Sequence, residues 1–208
     1  MTKPRLLDLF CGAGGAAMGY HRAGFEVVGV DINPQKNYPF EFHQADAMTY
    51  PLEGFDVIHA SPPCQRYTLA QNAAQNADAH PDLVAPARER LRGSGALWVI
   101  ENVVGAPLES PITLCGLAFG LNVKRHRLFE LEPPLLLAPP CPSHDVGYYV
   151  IFGHEVRSRR HGQATGRKNK IAEGRKAMGI DWMTTSELSQ AIPPAYTEWI
   201  GKQLRAAL

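Results

Sequence analysis

Few features of a chain restrict its fold as much as a short apolar strand that runs directly into a cluster of glycines. Here Arg5 to Phe10 leads into Cys11-Gly-Ala-Gly-Gly15, so that Asp8-Leu-Phe-Cys-Gly-Ala-Gly-Gly15 reads as strand, tight turn and helix start. About twenty residues later, Val30-Asp31 closes a second apolar run. Glycines at 12, 14 and 15 let the backbone turn closely under a ligand. A carboxylate at Asp31, at the carboxyl end of the second strand, can accept hydrogen bonds from both hydroxyls of a ribose. Together these features predict a nucleotide site at the edge of a parallel sheet. On these residues alone, an ordinary glycine-rich turn with a chance aspartate remains the alternative.

The rest of the first hundred residues repeats the pattern. Ala16 to Ala23 carries helix formers with Gly24 as a stop signal, and Glu26 to Asp31 is the second strand. Phe55 to Ala60 and Ala96 to Glu101 are further runs of buried-type residues, each ending in a polar cluster. Between them a polar stretch from Gln65, expected to be mobile in its first half, precedes a helix over Pro81 to Leu91. The Pro-rich segment Pro133 to Pro142 marks a boundary, and a turn at Ile192 to Pro194 opens a closing helix that reaches Ala207. The expected fold class is α/β, a Rossmann-like sheet with helices on both faces and a short basic insertion. The division is 1–131 with 186–208 as the ligand-binding domain and 132–185 as the insertion.

Composition supports one core and little more. A chain of 208 residues, 45% of them hydrophobic, has room for a single full domain with an insertion. Cysteines at 11, 64, 115 and 141 form neither close pairs nor a secreted framework, which points to a reducing compartment where free thiol chemistry is allowed. The N-terminal segment turns glycine-rich before an apolar signal core could form, and no stretch is long enough to span a bilayer. A cytoplasmic protein without a membrane partner is therefore expected. A net charge of +1 gives no global attraction to a polyanion, so nucleic-acid binding would have to rest on local clusters.

Two further motifs carry chemistry. Ser61-Pro-Pro-Cys-Gln65 lies at the carboxyl end of the third apolar run, where open α/β sheets place catalytic groups. Cys64 there is a candidate nucleophile, its thiolate favoured if Arg66, Arg125 or Arg127 is near, though an isolated cysteine is often buried and inert. Glu101-Asn102-Val103 ends the next strand and brings a carboxylate beside it. An acid hydrogen-bonded to N3 of a pyrimidine would lower the barrier to thiol attack at C6. Glu101 alone could equally be a solvated strand-end residue.

Taken together, DLFCGAGG, VDIN, SPPCQ, ENV and RHRLFE, in that order over residues 5 to 131, resemble the cytosine C5 DNA methyltransferase family. The resemblance implies an S-adenosylmethionine-dependent enzyme acting on a flipped cytosine in double-stranded DNA, in a restriction-modification or phage setting. It implies cofactor contacts from Phe10, Gly12, Gly14, Asp31, Ile32, Asp46 and Pro62, with Phe10 on the adenine, Asp31 on the ribose and Asp46 at the adenine amino group. Cys64 would be the nucleophile, Glu101 the N3 partner, and Arg125 and Arg127 would stabilise the base and the catalytic loop. The C-terminal stretch Ser189 to Tyr196 is similar to the family's last cofactor motif, but Ser189-Gln190 replaces its usual Gly-Asn pair. The family's separate target-recognition domain has no counterpart of its normal size, which makes this a minimal member.

Within the insertion, Arg157, Arg159, Arg160, Arg167, Lys168 and Lys170 read as a phosphate-contacting loop, with Gln65 and Arg66 as further nucleic-acid contacts. A solvated surface loop is the alternative. Cys141-Pro-Ser-His144 is half of a metal pattern, with Cys115 or His154 as remote completions. The spacing is irregular, so packing is the preferred reading and no metal is expected. An amino-methyltransferase would carry an aromatic residue where Cys64 stands. An RNA cytosine methyltransferase on the same scaffold and a non-catalytic module that stimulates a partner stay open. A monomer is expected, and a partner subunit that supplies specificity is not excluded.

Overall fold

The computed structural model describes residues 2–67, 81–134, 138–153, 155–160, 163–169 and 171–208, and of residues 164–169 the backbone alone. The polar stretch expected to be mobile falls largely on 68–80, outside the described residues.

The central sheet is built from Arg5–Leu9 (β1), Glu26–Asp31 (β2), Glu41–Gln44 (β3), Val57–Ala60 (β4), Leu97–Asn102 (β5), Ile112–Leu114 (β6) and Arg127–Glu132 (β7), in the order β3-β2-β1-β4-β5-β7-β6. The first five in that order run parallel, and β7 is antiparallel to both its neighbours. Strands covered on both faces are apolar along their whole length, and β1, β2, β4 and β5 are nearly all buried. Register then sets the site. Leu9 pairs with Val30 and with Ala60, and Ala60 pairs with Ile100. The next residues, Phe10, Asp31, Ser61 and Glu101, therefore line up together at the sheet's carboxyl edge.

Helices Gly15–Arg22 (α1) and Pro194–Ala207 (α5) cover one face, with Tyr20, Phe25, Tyr196 and Ile200 fully buried. Thr197 Oγ1 donates to the Ala16 carbonyl at 2.8 Å and pins the two helices together. Helix Val84–Arg92 (α2) lies on the opposite side and begins three residues after the expected Pro81, because Asp82 Oδ1 accepts the Val84 N–H at 3.0 Å and sets the first turn there.

The insertion differs from the loop that its charge suggests. Tyr148–Phe152 (β8), Glu155–Arg160 (β9) and Gln163–Asn169 (β10) form an antiparallel sheet, followed by Ile171–Met178 (α3) and Thr185–Gln190 (α4). Ile151, Val156, Met178, Ile180, Met183 and Leu188 pack with Val123 and Ala13 into a small core continuous with the glycine turn. The basic residues hid this pattern: Val156 faces inward between Glu155 and Arg157, so the strand alternation is there, but it is carried by one apolar residue among charges.

Candidate active site

At the sheet's carboxyl edge lies a cleft of about 450 Å³. It brings together Phe10, Gly12, Asp31, Ile32, Pro62, Cys64, Gln65, Glu101 and Arg127 from the residues singled out in the sequence. Gly14 and Asp46 do not line it. Gly14 has φ 81°, and a Cβ there would meet Pro39 Cδ at 2.8 Å, so it closes the turn against its own neighbours. Asp46 is exposed and accepts the Met48 N–H at 2.8 Å. Asp31 also holds backbone: its Oδ2 accepts the Gly12 N–H at 3.0 Å and its Oδ1 the Asn33 N–H at 2.9 Å. One lone pair on each oxygen remains for a ligand.

Glu101 is the electrostatic centre. Its Oε1 stands 2.9 Å from Arg127 Nε, with both side chains largely out of water. Burial pushes its carboxyl above the usual range, and Arg127, the Ser61 hydroxyl and Arg125 pull back only part of the way. Antiparallel pairing of Glu101 with Phe129 puts Arg127 just past the register, beside the carboxylate. Cys64 is half-buried, and burial raises its thiol against the lowering effect of Arg127. The electropositive neighbourhood expected from the sequence exists, yet desolvation outweighs it. Cys11 also lines the cleft, but burial together with Asp8 and Asp31 drives its thiol far higher, so of these two thiols Cys64 is the one available for ionisation.

Arg125 does not line the cleft. It is buried and donates to the Ser189 carbonyl at 2.6 Å and the Ile151 carbonyl at 3.4 Å, tying the C-terminal motif to β8; burial and Arg127 bring its guanidinium down to about 9. In the insertion, Arg157 pairs with Glu155 at 2.6 Å, Arg159 and Arg160 complete β9, and register sets Lys168 opposite Arg157. Arg167 is placed on β10 by its backbone, and Lys170 lies outside the described residues. Arg66 lies just past the cleft residue Gln65, in the turn that follows Cys64.

Some residues around the site are given no role of their own by the sequence. His59, fully buried on β4, sits between the Tyr20 hydroxyl at Nδ1 and the Ser61 hydroxyl at Nε2, both at 2.9 Å. With Ser61 donating to Glu101, Nε2–H must donate to Ser61 and Tyr20 must donate to Nδ1, which fixes one neutral tautomer. A histidine inside an otherwise apolar strand was the available signal, since it cannot be buried unpaired. Asn102 donates to the Pro62 carbonyl at 2.9 Å and so holds the Cys64 loop on β5. Met183, Glu187 and residues 189–192 form the cleft's other wall, which settles the C-terminal segment against the site. The cysteine-histidine half-pattern is brought into a cluster too: Cys141 and His144 meet Cys115 and also His126, whereas His154 lies outside the described residues.

The profile of C-5 cytosine-specific DNA methylases matches residues 4–106. The chain belongs to this family. It is a methyltransferase, and its cofactor is S-adenosylmethionine. A prophage-encoded E. coli protein described as a DNA modification methyltransferase is similar in fold (TM-score 0.65, 15% identity, covering 98% of this chain and 99% of that one). So are the Entamoeba histolytica methyltransferase EhMeth (0.66, 13%, 100% and 99%) and the S. pombe Dnmt2 methyltransferase (0.62, 13%, 99% and 99%). No curated protein matches the chain. Among the described residues no helix is long and apolar enough to cross a membrane.

The cleft suits that cofactor. Its volume lies within the range of about 300–1,000 Å³ usual for ligand pockets. No atom stands within 4 Å of a Cβ built on Gly12, and Ile32 is 66% exposed where an apolar ring would cover it. Neither carboxylate oxygen of buried Asp8 has a hydrogen-bond partner among the described residues, although Tyr38 and the Ala17 N–H approach it. An orphaned acid in the wall of a cleft fits a cationic or donor-bearing ligand.

Proposed function

We propose that this methyltransferase acts on double-stranded DNA, adding a methyl group to C5 of a flipped-out cytosine through a transient bond from Cys64 to C6. The observation that carries the reading is the placing of Cys64, Glu101 and Arg127 in one cleft with the glycine turn. Phe10, Gly12, Asp31, Ile32 and Pro62 would hold S-adenosylmethionine, which supplies the methyl group when bound. The Cys64 thiol gives up its proton to solvent as Sγ bonds to C6. The C5–C6 double bond then opens, and its electron pair moves toward C5 and N3. Glu101, whose raised carboxyl can carry a proton, shares it with N3 and quenches the charge there; Arg127 then balances the carboxylate. After C5 is methylated, water takes the C5 proton, the C5–C6 double bond re-forms as the Sγ–C6 bond breaks, N3 returns its proton to Glu101, and Cys64 leaves as the thiolate.

The insertion's basic side chains, Arg157, Arg159, Arg160, Arg167, Lys168 and Lys170, would meet phosphates, with Gln65 and Arg66 nearest the flipped base. The test is incubation with tritiated S-adenosylmethionine and either duplex DNA or RNA, followed by nucleoside analysis. Label is expected in 5-methylcytosine from DNA. DNA bearing 5-fluorocytosine should form a denaturation-resistant adduct with the wild type and none with Cys64→Ser, since fluorine blocks the last proton removal and a hydroxyl ionises far less readily. Preferential labelling of RNA would move the substrate, and an equal adduct with Cys64→Ser would end the nucleophile assignment.

A further inference from the structure

Outside the cleft, four side chains from separate stretches converge on one point. Cys115 follows β6, His126 precedes β7, and Cys141 and His144 lie in the Pro-rich connection to β8. One ligand atom from each lies within 4.8 Å of the others. We propose that Cys115, His126, Cys141 and His144 bind one structural zinc ion.

Distances carry the argument. Cys115 Sγ is 3.5 Å from His144 Nε2, Cys141 Sγ is 3.3 Å from His144 Nε2, and Cys141 Sγ is 3.3 Å from His126 Nε2. A tetrahedral ion with Zn–S of about 2.3 Å and Zn–N of about 2.0–2.1 Å has S···N edges of about 3.5 Å. The observed spacings are such edges. Hydrogen bonding accounts for them less well: His144 Nε2 has either one proton or one lone pair, yet it stands against two sulfurs. Two sulfurs and two imidazoles in a closed set select zinc over the oxygen-seeking cations, and leave no open position for chemistry.

The location explains what such an ion does. Residues 138–147 form neither helix nor strand and are mostly exposed, so they have little packing to hold them between the two sheets. Two of the four ligands come from that segment and two from the core, with Cys115 buried at the end of β6. The ion ties the connection to the central sheet. His126 stands between Arg125, which reaches Ser189 and Ile151, and Arg127, which holds Glu101. The same ion therefore anchors the start of β7 next to the cleft without entering it.

The test is metal content of the full chain, prepared without chelator or polyhistidine tag and dialysed against zinc and then against zinc-free buffer. One zinc per chain is expected by mass spectrometry of the metal. Cys141→Ser and His144→Gln should each hold less than about a tenth of that, while binding of S-adenosylhomocysteine reports that the catalytic fold survives. His144→Cys, which keeps four ligands, should retain the ion even if the others misfold. Cobalt in its place should give the intense visible absorption of a tetrahedral thiolate site. A wild-type chain without metal, a Cys115–Cys141 disulfide in its place, or zinc retained in full by both Cys141→Ser and His144→Gln would each overturn the proposal.

Discussion

At Glu101 a buried carboxylate is reached from two sides, by Arg127 at 2.9 Å and by a relay of Ser61, His59 and Tyr20. Glu101→Gln keeps the shape but removes the acidic proton. Turnover should fall by roughly a hundredfold to ten-thousandfold, the span for a general acid, with smaller change in DNA affinity; an unchanged single-turnover rate would remove Glu101 from the chemistry. The relay has its own signature. Burial holds His59 at about 3, below its usual value of about 6.5, so it stays neutral in the native protein. The unfolded chain takes up that proton below pH of about 6.5 and the native chain only near 3. This contribution to stability is therefore whole above about 6.5 and is lost as the pH falls toward 3. Urea unfolding across that range should show an acid limb that His59→Gln flattens by close to one proton, and an identical limb in the variant would place the missing proton elsewhere. That Cys64 and Glu101 meet in one cleft was legible in the sequence because strand ends of a parallel sheet converge. His59 and Asn102 were not, because their roles depend on which face of a strand meets which loop.

Among the elements, the parallel strands were legible almost to the residue, since a run of apolar residues ending at a polar cluster leaves little freedom in where a buried strand stops. The short β3 was not: its four residues, Glu41 to Gln44, form an edge strand with mostly exposed side chains and no apolar run. Nor could the sequence show what fastens α2 to β7. Arg88 and Glu130, both buried, meet in a bidentate pair at 2.7 Å, and Glu130 also accepts the Glu109 N–H at 2.8 Å. Arg88 also has Glu109 Oε1 at 3.5 Å, so it keeps a counter-charge without Glu130, whereas removing Arg88 leaves Glu130 buried without one, a loss of about 3–5 kcal/mol that replacing both with apolar residues of similar volume avoids. Arg88→Met should lower stability by that amount in urea unfolding, and Arg88→Met with Glu130→Leu should be markedly more stable than Arg88→Met alone. A single variant within about 1 kcal/mol of the wild type would show that the pair is dispensable.

On the scale of the whole molecule, the proposed DNA substrate raises the question of how much sequence residues 128–185 can read. The 58 residues from Leu128 to Thr185 include the rest of β7, the Pro-rich connection, a three-stranded sheet and α3. That sheet is packed, but its apolar side is committed to the core shared with Val123 and Ala13, so its role in recognition falls to the polar residues of β9 and β10. Arg157 is already paired with Glu155, and lysines and arginines on such strands meet phosphates, which position a protein without specifying sequence. Each bidentate base contact adds only about 1–3 kcal/mol of discrimination, so two or three such contacts would define a site of two or three bases. Binding should then depend steeply on salt. Neutralising Arg159, Arg160, Arg167 and Lys168 should flatten that dependence and weaken all sequences alike. Bisulfite sequencing of a random DNA library after exhaustive treatment reads the site directly. Modification confined to a site of five or more specified bases would mean that the small sheet reads bases in the groove, or that a partner subunit does so for it.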